Sequence, residues 1–63
     1  MAQTKKEKRV IARARYIVEV FAKSHYDSRD LFKKMTKEEK KITIDYIERI
    51  GESAVSRYLY QWY

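Results

Sequence analysis

Three cations, Lys5, Arg9 and Arg13, stand four residues apart near the amino terminus of this chain. On a helix, that spacing stacks them into one ridge, because side chains four apart are surface neighbours. Lys6, Lys8 and Arg15 flank the ridge, and Tyr16 comes next in line. A row of cations beside an aromatic ring is suited to tracking a phosphate backbone. The position is unfavourable for the helix itself. The amino end carries the positive pole of the helix dipole, where a cation loses roughly 0.3–1 kcal/mol. An external anion would offset that loss. Residues 1–15 hold six basic side chains against Glu7, a balance of +5, whereas residues 16–63 hold nine against eight, a balance of +1. The excess charge is thus confined to one segment. The expected partner is nucleic acid, with DNA the first expectation.

No comparable set of residues suggests catalysis. The chain has no cysteine and one histidine, and its only glycine is Gly51, so it lacks a thiol nucleophile, a zinc ligand set and a phosphate-cradling loop. His25 reads as a solvated or capping residue and Glu38 and Glu39 as helix-start acids, while Asp45 and Glu48 pair with basic neighbours on a solvated face. The expectation is a non-enzyme with no catalytic residue, no metal and no cofactor.

Aromatic residues are in surplus. There are nine, and Tyr58, Tyr60, Trp62 and Tyr63 all fall within the last six positions. One helix face can turn Tyr58 and Trp62 inward, but Tyr60 and Tyr63 cannot both follow. Exposed rings stack on bases or anchor protein interfaces. The carboxy-terminal four are read as a protein interface, most simply that of a homodimer.

The elements that must position these groups are helical. With no proline and one glycine, the chain cannot supply the turns of a small sheet fold. Val10, Ala14, Ile17 and Phe21 recur at helical spacing and predict a first helix over residues 5–24. A short second helix is expected over 29–34, capped by Asp27 or Ser28. Thr36 followed by Glu39 is a capping box that opens a third helix over 37–50, with Ile44, Ile47 and Ile50 on its inner edge. Gly51 closes it, and Ser53 caps a fourth over 54–62. The fold class is therefore all-α, a compact three- to four-helix domain, read as a flexible basic arm at 1–8 and a single helical domain over 9–63. The expected core is Val10, Ala14, Ile17, Phe21, Leu31, Phe32, Ile44, Ile47, Val55, Leu59 and Trp62. No apolar run approaches the roughly 20 residues of a membrane span, so no membrane partner is expected and an intracellular, cytoplasmic setting is. The richness in Lys, Arg, Glu, Ile and Tyr, with no asparagine, is the bias of heat-stable proteins.

Ser53-Ala54-Val55-Ser56-Arg57-Tyr58-Leu59, following a glycine turn, resembles the recognition helices of bacterial helix-turn-helix repressors. The resemblance covers about twenty residues and implies that Ser53, Ser56 and Arg57 face DNA while Val55 is buried. The chain departs from that pattern. Aligning Val55 to the buried valine puts Asp45 at a position that needs a small residue and Arg49 at the turn glycine. Aligning Gly51 instead puts Arg57 and Tyr60 on buried positions. The expectation is therefore a divergent helix-turn-helix in the carboxy-terminal half. Residues 36–41 (TKEEKK), then Ile44-Asp45 and Arg57-Tyr58-Leu59, are similar to the carboxy-terminal part of phage anti-sigma proteins, which hold the sigma subunit of RNA polymerase. That likeness implies a protein partner such as RNA polymerase and assigns no residue roles. Taken together, the sequence suggests a small accessory or regulatory protein of viral or plasmid-like type.

Overall fold

The computed structural model describes residues 4–63, which form four helices: α1 (Lys5–Lys23), α2 (His25–Lys33), α3 (Lys37–Arg49) and α4 (Ser53–Tyr60). The radius of gyration is 10.7 Å, close to the roughly 10.6 Å expected of a compact chain this long. The all-α class is as expected. Of the arm expected at 1–8, residues 1–3 lie outside the described residues. Lys5 to Lys8 form the first turn of α1, where the Thr4 hydroxyl accepts from the Glu7 amide.

One residue separates α1 from α2. Ser24 is extended (φ −156°, ψ 113°), so the chain leaves helical geometry for a single step. Its amide donates to the Val20 carbonyl at 2.7 Å, closing α1, and its hydroxyl accepts from the Asp27 amide, opening α2. The expected start of α2 at Arg29 is corrected to His25. Ser24, rather than Asp27 or Ser28, supplies the cap, and Ser28 is fully buried with its hydroxyl donating to the His25 carbonyl. His25, read as a solvated or capping residue, is consequently the first residue of α2, and its ring stacks on Phe21 at 4.1 Å.

The third helix opens as the capping box predicts. Thr36 accepts from the Glu39 amide, and Glu39 accepts from the Thr36 amide at 2.9 Å. It closes in a Schellman motif, with Gly51 donating to Glu48 and Glu52 donating to Ile47. Gly51 sits at φ 82°, a left-handed conformation that costs an L-residue roughly 1–2 kcal/mol. Ser53 was expected to cap α4, but it is the helix's first residue. Glu52 holds the cap position without a side-chain hydrogen bond.

Helices α1 and α3 both contribute to a core of Ile17, Phe32, Met35, Ile44, Ile47, Val55 and Leu59, with Val10 and Ala14 also buried. Phe21, Leu31 and Trp62, expected inside, are only half-buried and lie against this cluster. Ile50 is 45% exposed, because the Schellman turn carries it off the inner edge of α3. Met35 and Thr43 are buried beyond expectation, with the Thr43 hydroxyl donating to the Met35 sulfur at 3.2 Å.

A Cβ built at Gly51 meets nothing within 4 Å, so the cost of a substitution there is conformational alone. Gly51→Ala should lower unfolding free energy by about 1–2 kcal/mol, read by urea denaturation with an unchanged m-value. Gly51→Asn, which tolerates this conformation better, should cost less.

Candidate nucleic-acid interface

Helix α1 buries Val10, Ala14 and Ile17 and turns its opposite face to solvent. That outer face carries Lys5, Lys8, Arg9, Arg15 and Tyr16, all exposed. The ridge Lys5, Arg9 and Arg13 climbs about 6 Å along the axis per step. The six amino-terminal cations differ in their surroundings. Lys6 donates to the Glu38 carboxylate at 3.1 Å, and the Arg13 guanidinium lies 4.0 Å from that of Glu39. These contacts join α1 to the acidic first turn of α3. Among the described residues, Lys5, Lys8, Arg9 and Arg15 have no acidic partner within ion-pair distance. Exposed pairs such as Lys6–Glu38 are worth at most about 1 kcal/mol, so Lys6 can exchange Glu38 for a phosphate at small cost.

The ridge gains a cation that its own sequence segment does not reveal. Because α2 turns back at Ser24, Lys34 comes to line a cleft together with Arg13, Tyr16, Ile17, Leu31 and Met35. The cleft holds about 470 Å³ and has an apolar floor with a cation on each helix. Tyr16, 57% exposed, stands at its edge. The groove continues toward the kink, where Glu19, Asp27 and Asp30 accompany Lys23, with Tyr16, Leu31 and Lys34 bordering both stretches. Positive character is therefore restricted to the half nearest the amino terminus.

The residues implied by the repressor resemblance lie elsewhere. Ser53 and Arg57 are exposed on α4, and Val55 is buried. Ser56, expected to face DNA, is corrected to a buried position: it is 4% exposed and its hydroxyl donates to the Ser53 carbonyl at 2.9 Å. Arg57 shares a shallow depression with Glu48, Ser56 and Tyr60. The start of α4 follows the far end of α3, while Lys6 and Arg13 meet the near end at Glu38 and Glu39. Thirteen residues of helix place these ends roughly 20 Å apart. The basic ridge and the head of α4 are two separate surfaces.

The carboxy-terminal aromatics divide in the same way. Tyr58 and Trp62, expected at a protein interface, belong instead to an intramolecular cluster. Tyr58 packs on Phe21 and His25, and Trp62 on Tyr58 at 5.0 Å. The Arg29 guanidinium lies 5.0 Å from the centre of the Tyr26 ring and 5.6 Å from that of Trp62, and the Lys40 ammonium donates to the Trp62 carbonyl at 2.8 Å. Tyr60 and Tyr63 remain exposed and pack on each other at 5.4 Å. Among the described residues, no three His, Cys, Asp or Glu side chains gather to hold a metal, and no helix is long and apolar enough to cross a membrane.

Glu39 connects the fold to the cationic face. Its carboxyl is held below the ordinary glutamate range, first by the Thr36 amide and then by the Thr36 hydroxyl, Arg13 and Lys6, against an opposing effect of burial. A lowered folded-state pKa means stability that is complete above the ordinary value and is lost as pH falls through the folded one. Glu39→Gln keeps a capping side chain but removes the charge. The stability advantage of the wild-type protein over this variant should therefore be present at neutral pH and shrink below about pH 4, as followed by denaturant titrations across acid pH.

Comparison with known protein families, curated proteins and solved structures finds no match to this chain.

Proposed function

We propose that this protein is a small nucleic-acid-binding accessory or regulatory protein, with DNA the first candidate, that engages phosphates through the outer face of α1. The observation that carries this reading is the set of exposed cations with no acidic partner among the described residues, Lys5, Lys8, Arg9 and Arg15, on a helix face that buries nothing. Arg13, Lys6 and Lys34 extend that positive surface on the α3 and α2 sides. The chemistry is electrostatic: phosphates displace condensed counterions, and affinity follows salt accordingly. Arg57 and Ser53 supply at most a second, separate contact.

A protein-interaction role, as an inhibitor or adaptor of a nucleic-acid enzyme such as RNA polymerase, is favoured by a different observation. Tyr60, 61% exposed, and Tyr63 form a paired aromatic surface that the core does not use. The same pair is where a homodimer would form. A structural nucleoprotein subunit is the third reading. It differs from the others in forming higher-order assemblies in solution.

With about six phosphates neutralised, affinity for a labelled duplex should fall roughly 10³-fold between 50 and 200 mM salt. Joint reversal of the two free ridge cations, Lys5→Glu with Arg9→Glu, should abolish binding at low salt with helical content unchanged. Arg13 is the poorer choice for reversal, because an acid there would sit against Glu39. Salt-insensitive binding, or binding that survives the double reversal, would contradict the reading. Loss of partner capture on substituting Tyr60 and Tyr63, with nucleic-acid affinity intact, would favour the interaction module.

A further inference from the structure

We propose that the cleft between α1 and α2 takes an unpaired nucleobase, so that the preferred ligand is single-stranded rather than duplex nucleic acid; this rests on the phosphate-binding reading above. Three features of the cleft converge on that ligand. Its floor is apolar, made by Ile17, Leu31 and Met35. Its edge carries Tyr16, whose ring is more than half exposed although an apolar surface lies beside it. Its own charged lining is Arg13 from α1 and Lys34 from the end cap of α2, with the acids of the groove confined to the adjoining stretch that Tyr16 and Lys34 also border.

A base has a flat π-face attached to a negatively charged backbone, and this cleft answers both parts. Aromatic side chains stack on bases without regard to sequence, while a cationic groove tracks the strand. The cleft volume of about 470 Å³ lies within the roughly 300–1,000 Å³ usual for small-molecule sites. In duplex DNA the bases are stacked and paired, so none is free to enter a cleft beside a helix. The direction of the strand is constrained as well. Glu19, Asp27 and Asp30 line the groove toward the Ser24 kink and repel phosphate, whereas Arg9 and Lys5 continue the cationic path toward the amino terminus. A strand seated at Tyr16 therefore runs along the ridge and away from the kink.

The test is fluorescence-anisotropy titration of a labelled oligothymidine and a labelled hairpin duplex, at equal salt, with the full chain and three variants. Oligothymidine should bind more tightly than the duplex. Tyr16→Leu should weaken oligothymidine binding by roughly 5- to 150-fold, the worth of one base–aromatic stack, and weaken duplex binding far less. Tyr16→Phe, which keeps the ring, should restore single-strand binding. Lys34→Glu should weaken oligothymidine binding more than duplex binding. Because Tyr16 and Lys34 are exposed, these variants should fold, as circular dichroism can verify. Equal affinity for both ligands with no effect of Tyr16→Leu would overturn the base-binding cleft and leave the phosphate-binding ridge standing. Failure to bind either ligand at low salt would overturn both.

Discussion

The arrangement of the outer surface depends on Ser24. A single extended residue ends one helix through its amide and begins the next through its hydroxyl, so the chain reverses without a loop. That economy fixes how α2 lies on α1. The reversal places the end of α2 beside the middle of α1, leaves a cleft between them and brings Lys34 to the same opening as Arg13 and Tyr16. It also stacks His25 on Phe21, the first contact of the aromatic cluster that secures the carboxy-terminal segment. A longer connection would lose the fixed angle, and with it both the cleft and the cluster.

A chain of this size buries only roughly 60% of its unfolded surface, so local devices count for much of its stability. Several helix ends use one. Thr4, Ser24 and Thr36 cap three amino termini, and the Schellman turn at Gly51 closes α3. Buried hydroxyls are handled the same way: Ser28 and Ser56 bond to carbonyls three residues back within their own helices, so neither leaves an unsatisfied group in the core. Trp62 is held from two helices, by the Arg29 guanidinium over its ring and by the Lys40 ammonium donating to its carbonyl, which turns a residue that reads as an interface anchor into an internal fastening.

The pattern of what was legible in the sequence follows from the range of each signal. Capping at Thr36 and the glycine closure at Gly51 are local chemistry, and the periodicity of Val10, Ala14 and Ile17 spans a single helix. All three could be read from neighbouring letters. The kink at Ser24 could not, because a serine after a lysine looks the same whether it starts a loop or a cap. That one ambiguity displaced the start of α2 by four residues and hid the role of Lys34. Ser56 misleads for a related reason. Its place in a repressor-like string suggests DNA, but its burial is set by the packing of α4 on α3, which periodicity over eight residues barely constrains. The division of the aromatics into an internal pair and an exposed pair likewise depends on Arg29 and Lys40, which are distant in sequence.

Nucleic acid is proposed to be held on the outer face of α1 and in the cleft it shares with α2. The most direct test is a map of backbone amide shifts by nuclear magnetic resonance as unlabelled oligonucleotide is added at low salt. Binding there should give saturable shifts concentrated at Lys5, Arg9, Arg13, Tyr16 and Lys34, with Tyr60 and Tyr63 unmoved. Shifts concentrated on α4, at Ser53, Arg57 and Tyr60, with α1 silent, would contradict it.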